Sequence, residues 1–313
     1  MTKIRQVFRR LCAGTCRHLE RIALVLKQTR LADYALGRWL IDVVLWPSDL
    51  WKVCSSYNTS FGRTPRLLKP QTFNEKLQYT TLFRRKSYYT QLADKIAVRD
   101  FVAKRIGSQY LTKILWIGSD LRSAKEVSLP DSFVVKANHG SGYNIIVRDI
   151  RQFDWESAHQ QTQDWLQHDY SVHFAEWQYR WIPPKLFIEE YLEGENGDMP
   201  IDYKFFCFQG RVELVQVDFD RFTAHTRLLY DRNFNLLPVS FAYPRRYGSI
   251  TKPNCYAEML RIAETLAADE PFLRVDLYQI GGPIFGELTL TPEAGHGKFA
   301  PPEWDLQLGQ LMS

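Results

Sequence analysis

The sequence predicts an α+β fold, helical at its N-terminus and built from short, largely antiparallel strands in its second half. Three observations carry that expectation. Apolar residues recur every three or four positions through about residue 56. From Phe133 the pattern changes to short β-rich runs, and a helical stretch over 256–268 leads into two final strands.

Taken in order, Ile4, Val7, Phe8 and Leu11, then Leu19, Ile22 and Leu26, keep helical spacing within residues 1–30, although Gly14 weakens the expectation of one continuous helix. Residues 31–56 read as helix, rich in Trp and Leu and broken at Pro47. A polar stretch with Gly62, Pro65 and Pro70 reads as a linker. Thr72-Phe73-Asn74-Glu75-Lys76-Leu77 is a capped helix start, because Thr72 precedes an acid by three residues. A further helix runs over 94–105 and ends at Gly107. Strands are expected at 133–136, 144–147, 186–191, 203–208, 212–218 and 228–231, with a helix over 155–170 between the second and third. The last two strands fall at 272–278 and 284–290.

Length and composition exclude several classes. The 313 residues suggest about two domains, and 45% hydrophobic with 24% charged residues argue against disorder, collagen or coiled coil. The most apolar window, 40–46, is seven residues long and contains Asp42, whereas a membrane span needs about 20. Five cysteines (Cys12, Cys16, Cys54, Cys207, Cys255) include no CxxC pair, which argues against a disulfide framework or structural zinc. The apolar run 22–26 is too short for a signal-peptide core, so a cytoplasmic location is expected.

Positive charge is concentrated at one end. Residues 1–30 hold eight Lys or Arg and one acid, Glu20, for +7, which leaves −2 for the other 283 residues out of a total of +5. A basic amphipathic helix suits an anionic membrane surface at the inner face, with Phe8, Leu11 and Ile22 entering it. The same pattern fits a helix packed on the body with its basic face in water. Nucleic acid ranks last, since the rest of the chain supplies no basic groove.

Four constellations have the composition of chemistry. Lys136 on a strand is followed by Asn138-His139-Gly140-Ser141-Gly142, a hairpin tip whose glycines let backbone N–H groups approach an anion; it is neither a Walker loop nor a Rossmann fingerprint. Phe187-Ile188-Glu189-Glu190-Tyr191-Leu192 is an apolar strand running into acids. Alternation puts Arg274, Asp276 and Tyr278 on one face, and Glu287 and Thr289 share a face of the next strand. Two carboxylates on paired strands beside an arginine suit Mg²⁺ bridging phosphates. Asp218-Phe219-Asp220 has the DxD spacing of metal-dependent glycosyltransferases, a short pattern that arises readily by accident.

The order of these motifs, with Asp94-Lys95 ahead of them, resembles the ATP-grasp superfamily. In detail it is most similar to its TupA-like family, found with surface-polysaccharide biosynthesis, from residue 70 to about 309. Val135 to Gly142, Ile201 to Gly210 and Pro301-Pro302-Glu303-Trp304-Asp305 carry the likeness further. The resemblance implies two α+β subdomains with largely antiparallel sheets enclosing ATP, one with the Gly-rich loop at 86–192 and one with the metal site at 193–313; a lead-in segment at 57–85 and, outside the resemblance, a basic amphipathic helical arm at 1–56 precede them. It implies that Lys95 and Lys136 grip ATP phosphates under a flexible Gly140-Ser141-Gly142 loop. Glu189, Glu190 and Leu192 would contact adenine, and Asp202 or Glu195 the ribose. Asp276, Glu287 and Thr289 would hold Mg²⁺, with threonine where the family carries asparagine, and Arg274 would steady the transferred phosphoryl group. The implied activity is an ATP-dependent carboxylate–amine ligase acting through an acylphosphate, joining an amino acid to a uronic acid of a surface polysaccharide or its precursor. The alternatives are a glycosyltransferase using Asp218 and Asp220, or a non-catalytic nucleotide-binding protein.

Overall fold

The computed structural model describes residues 2–194, 200–220 and 224–312, and the side chains of residues 2–12 and 31 also fall outside the description. Glu195, Phe8 and Leu11, named above, therefore lie outside the described residues or side chains. Helix α1 (Thr2–Lys27) is continuous through Gly14, and α2 (Ala35–Phe61) is continuous through Pro47, so the expected break there does not occur. Pro47 removes one backbone donor. The helix is held on both sides of it: Arg180 donates to Asp42 at 2.8 Å and to Asp49 at 2.8 and 2.9 Å. Gly62 then ends α2 in the left-handed conformation, φ 71°.

The described part of α1 packs on the body. Cys16 and Ala23 are buried, with Ala23 against Ile41 and Leu45 of α2. Glu20 accepts from Ser48 Oγ and pairs with Lys52, both at 2.6 Å, and Lys27 pairs with Asp169 at 2.6 Å.

The capped start of α3 (Phe73–Phe83) is a latch. Thr72 and Glu75 form a complete capping box. Asn74 donates from its backbone and its amide to Asp305 at 2.9 and 3.0 Å, tying α3 to the C-terminal helix α8 (Glu303–Gln310). A Cβ at Gly309 would lie 2.1 Å from the Gln71 carbonyl, so only glycine fits this contact. After the short α4 (Tyr89–Ala93), α5 (Val98–Ile106) begins four residues later than expected, because Asp94 caps the preceding turn, accepting from Ile96 and Ala97 N–H at 2.9 and 3.2 Å.

Two antiparallel sheets follow. The smaller is ordered β1-β4-β2-β3, from β1 (Ile114–Gly118), β2 (Phe133–Ala137), β3 (Asn144–Val147) and β4 (Leu186–Glu190). Strand β1 was not expected. It is a half-buried edge strand without clean alternation, which hides it from a period-2 reading. Helix α6 (Trp155–Gln167) covers one face, where Phe133, Val135, Leu186 and Ile188 pack with Trp165. Asp154 caps its start, and it stops short of residue 170 because Asp169 caps the next turn.

The larger sheet is ordered β10-β9-β5-β6-β7, from β5 (Asp202–Phe208), β6 (Arg211–Phe219), β7 (Thr226–Asp231), β9 (Phe272–Gln279) and β10 (Pro283–Thr289); the short β8 (Ser240–Phe241) and β11 (Phe299–Ala300) pair beside it. One face carries Tyr203, Phe205, Cys207, Leu273, Val275 and Leu277 against α5 and α7 (Tyr256–Ala267). The opposite face carries Phe206, Phe208, Leu214, Leu229 and Phe272 against Phe73 and Leu308. By strand alternation, that second face continues into Lys204 and Asp202, Gln216 and Asp218, Arg227, and Arg274 and Asp276. Half of it is core, and half is charged.

Candidate active site

The charged half of the large sheet faces the polar face of the small one. The cleft between them, about 170 Å³, is lined by Lys95, Lys136, Ser141, Gly142, Glu189, Asp202, Lys204, Asp276 and Glu287, together with Arg99, Phe187 and Tyr278. Register explains the convergence. Lys204 lies directly opposite Asp276 across the β5–β9 ladder, and Glu287 opposite Asp276 across β9–β10. The latter register is shifted by a bulge at Gly286, where a Cβ would come within 3.1 Å of the Asp276 carbonyl.

Asp276 is the hub. Its two oxygens accept from Arg274 at 2.7 Å each, and Oδ2 also accepts from Lys204 at 2.7 Å. Burial pushes the Asp276 carboxyl up, against the pull of Arg274 and Lys204. Burial disfavours the charge on Arg274, but Asp276 and Glu287 overcome it and hold its pKa above the ordinary value. Arg274 also donates to Glu287 Oε1 at 3.1 Å, and the Thr289 hydroxyl donates to the same oxygen at 3.2 Å. Lys204 additionally pairs with Asp202.

The small sheet brings the other cations. Lys136 on β2 pairs with Glu189 on β4, whose second oxygen accepts from Thr112 at 2.8 Å. Lys95 donates to the Gly140 carbonyl at 2.7 Å and stands 3.5 Å from Glu287 Oε2, so it bridges the glycine loop to the large sheet. Gly142 adopts φ +79°, the left-handed conformation that favours glycine, while a Cβ at Gly140 would meet Tyr143 and Tyr170 at 2.6 and 2.8 Å. Glu190 and Leu192 do not line the cleft: Glu190 accepts from Lys113 N–H at 2.7 Å, and Leu192 follows the end of β4 half-buried.

A second cleft of about 430 Å³ adjoins the first, sharing Ser141, Lys204 and Glu287, and Arg274 and Thr289 line it. Glu176 lies in its wall. It accepts at Oε1 from Thr291 at 2.6 Å and Gln178 at 3.4 Å, and burial raises its pKa to about 7 against the opposing pull of Thr291, Lys95 and Gln178. Asp218 also lines this cleft, but Arg227 and Gln216 occupy its oxygens at 2.5–3.4 Å and 3.1 Å. Burial opposes that carboxylate, yet Arg227 and Lys204 hold its pKa at about 2. Asp220 lines neither cleft and pairs instead with Arg246 at 3.3 Å. The DxD residues thus do not share a site.

Sequence reasoning overlooked Lys204, Glu176 and Arg227. A lone lysine inside the apolar run 203–208 was a signal of the same kind as Asp276. Glu176 sits in an irregular segment whose position no periodicity reports. Among the described residues, no group of three or more His, Cys, Asp or Glu forms a metal cluster. Asp276, Glu287 and the Thr289 hydroxyl are nonetheless hard oxygen donors on adjacent strands, the class that Mg²⁺ accepts with phosphate oxygens and water completing its shell. The residues present fit that ion and a polyphosphate.

The family described as TupA-like ATPgrasp matches residues 75–313, about three quarters of the chain. Among solved structures, D-alanine–D-alanine ligase from Bacillus anthracis complexed with ATP is similar at 14% identity and TM-score 0.37, covering 64% of this chain and 54% of that one. L-amino acid ligase from Bacillus licheniformis is similar at 12% identity and TM-score 0.40, covering 69% and 46%. The chain thus spans about half the length of these structures. No curated protein matches it. The match over residues 75–313 takes in both sheets and every cleft residue named above, and the chain belongs to the TupA-like ATP-grasp family.

Proposed function

We propose that the protein is an ATP-dependent carboxylate–amine ligase. The observation that carries this reading is the convergence, in one cleft, of Lys95, Lys136 and Lys204 with the carboxylates of Asp276 and Glu287, to which Arg274 is bonded from the adjoining cleft. Cations set beside carboxylates that suit Mg²⁺ are what a polyphosphate with its divalent cation calls for.

A carboxylate resists attack by an amine because its leaving group would be oxide. The ligase chemistry removes that obstacle in two steps. A carboxylate oxygen of the acceptor attacks the γ-phosphorus, the bond to ADP breaks, and an acylphosphate forms. The amine then attacks the acyl carbon, phosphate leaves with its bonding electrons, and an amide remains. Lys95, Lys136 and Lys204 bind phosphate oxygens, and Arg274 stabilises charge on the group in transfer. Asp276 and Glu287 would hold Mg²⁺, which would neutralise charge on the phosphate oxygens. Glu176, in the wall of the adjoining cleft, takes the proton that the amine sheds, a role that suits a carboxyl titrating near neutrality. The Gly140-Ser141-Gly142 loop excludes water from the acylphosphate.

The acceptor is a uronic acid of a surface polysaccharide or its precursor, and the amine an amino acid. Support comes from the family likeness and from the adjoining cleft, which is roomy and lined by Arg227, His225 and Tyr243 around its polar wall. The test uses a uronic acid labelled with ¹⁸O in its carboxylate, ATP, Mg²⁺ and a panel of amino acids. ADP release with ¹⁸O in the liberated phosphate is expected. No ADP release with any pairing of uronic acid glycan and amino acid overturns the reading.

A further inference from the structure

Helix α2 carries two apolar stripes. One, Gly37, Ile41 and Leu45, is buried against α1 and the body. The other, Leu36, Trp39, Leu40 and Val43, repeats at the spacing of one helix face and stays open to solvent; these residues are 69%, 59%, 45% and 50% exposed. Tyr34, just before the helix, is 66% exposed, and α1 adds the exposed Ile22, Leu24 and Val25. An apolar stripe of this density facing water on one helical hairpin calls for a partner.

Charge identifies the partner. Arg17, Arg21 and Arg30 are exposed on the same hairpin, and none is in an ion pair among the described residues. Glu20 and Asp42 on the hairpin are taken by Lys52 and Arg180, and Asp33, between the two helices, is exposed. A second copy of this chain would bring a +7 arm against another +7 arm, so self-association here is opposed by charge. Aliphatic side chains, a tryptophan and a tyrosine on the same hairpin as exposed arginines instead match the boundary of an anionic bilayer. There, apolar groups enter the acyl region, aromatic rings lie at the headgroup level and guanidinium groups meet phosphate.

We infer that the α1–α2 hairpin is a docking surface for an anionic phospholipid membrane, centred on Leu36, Trp39, Leu40 and Val43. The contact lies in the plane of the interface, since no helix of the described residues is long and apolar enough to cross a membrane. The surface lies ahead of residues 75–313, where the family match runs, and the inference does not depend on the ligase reading.

The test is sedimentation of the full chain with vesicles of phosphatidylcholine alone and of phosphatidylcholine with about one quarter phosphatidylglycerol. Binding is expected only to the second, weakening as salt rises. Trp39→Ser with Leu40→Ser, both solvent-facing, is expected to reduce that binding at least about tenfold with unchanged circular dichroism and melting temperature. Arg17→Glu with Arg21→Glu is expected to reduce it as well and to weaken its salt dependence. Equal binding to both vesicle types, no binding by the wild-type chain, or unchanged binding by both variants overturns the inference. So does a concentration-dependent dimer that the Trp39→Ser, Leu40→Ser variant abolishes, which would assign the face to a second copy.

Discussion

One face of the five-stranded sheet is two different materials. Over Phe206, Phe208, Leu214, Leu229 and Phe272 it is aromatic and aliphatic, sealed by Phe73 and Leu308. A few residues along the same strands, and still on the same side, it becomes Lys204, Asp202, Asp218, Arg227, Arg274 and Asp276. Antiparallel pairing runs through the border, with one register shift beside it, between Phe206 and Cys207. What changes is how a side chain is satisfied: by contact area in one half, and by a cross-strand or neighbouring counter-charge in the other. The cleft is therefore a continuation of the core face. Strand register, rather than a special loop, aligns its charges.

Substitutions should separate the two halves. The largest effect is expected in the charged half, where Asp276→Asn or Glu287→Gln should lower ADP formation by at least about a thousandfold, measured with saturating ATP·Mg²⁺. Melting temperature should fall much less than activity, since breaking one member of the network leaves other partners for Arg274 and Lys204. In the apolar half, Phe206→Ala should cost about 3–5 kcal/mol of stability in denaturant titration. The residual folded protein should keep its affinity for ATP. Loss of nucleotide affinity without loss of stability would erase the distinction between the halves.

Glu176 sharpens the comparison because it is a buried carboxyl with hydroxyl and amide partners instead of an ion pair. Its folded pKa is raised from 4.5 to about 7. The folded chain therefore holds this proton more tightly than the unfolded chain does. The stabilisation is present at low pH and is lost as pH rises from about 4.5 to about 7. Glu176→Gln keeps the neutral shape, so it should be more stable than the parent at pH 8, by on the order of 3 kcal/mol, with the difference vanishing near pH 4. The wild-type rate should rise through about pH 7, and the variant should lose that limb of the profile. The smallest effect belongs to the latch. Thr72→Ala should cost about 1 kcal/mol in thermal unfolding and leave the pH profile of activity unchanged.

Much of this organisation was legible in the sequence. Arg274, Asp276 and Glu287 stand out because charges interrupt apolar strands at a spacing of two, and the Thr72–Glu75 capping box announces α3. Lys204 gives the same signal, and only the register across β5 and β9 turns it into a partner of Asp276. Pro47 misled because a helix can be clamped from outside: the Arg180 ion pairs with Asp42 and Asp49 are long-range and leave no local trace. Glu176 was illegible for a related reason, since its shortest hydrogen bond comes from Thr291, 115 residues further along the chain.

The central claim is that the charges of both sheets hold a triphosphate. Calorimetric titration with ATP, with and without Mg²⁺, tests it without knowledge of the acceptor. Saturable ATP binding is expected, strengthened by Mg²⁺ and weakened at least about tenfold by Lys136→Met and by Asp276→Asn. Binding of a UDP-sugar in place of ATP, or ATP binding indifferent to both substitutions, would contradict it.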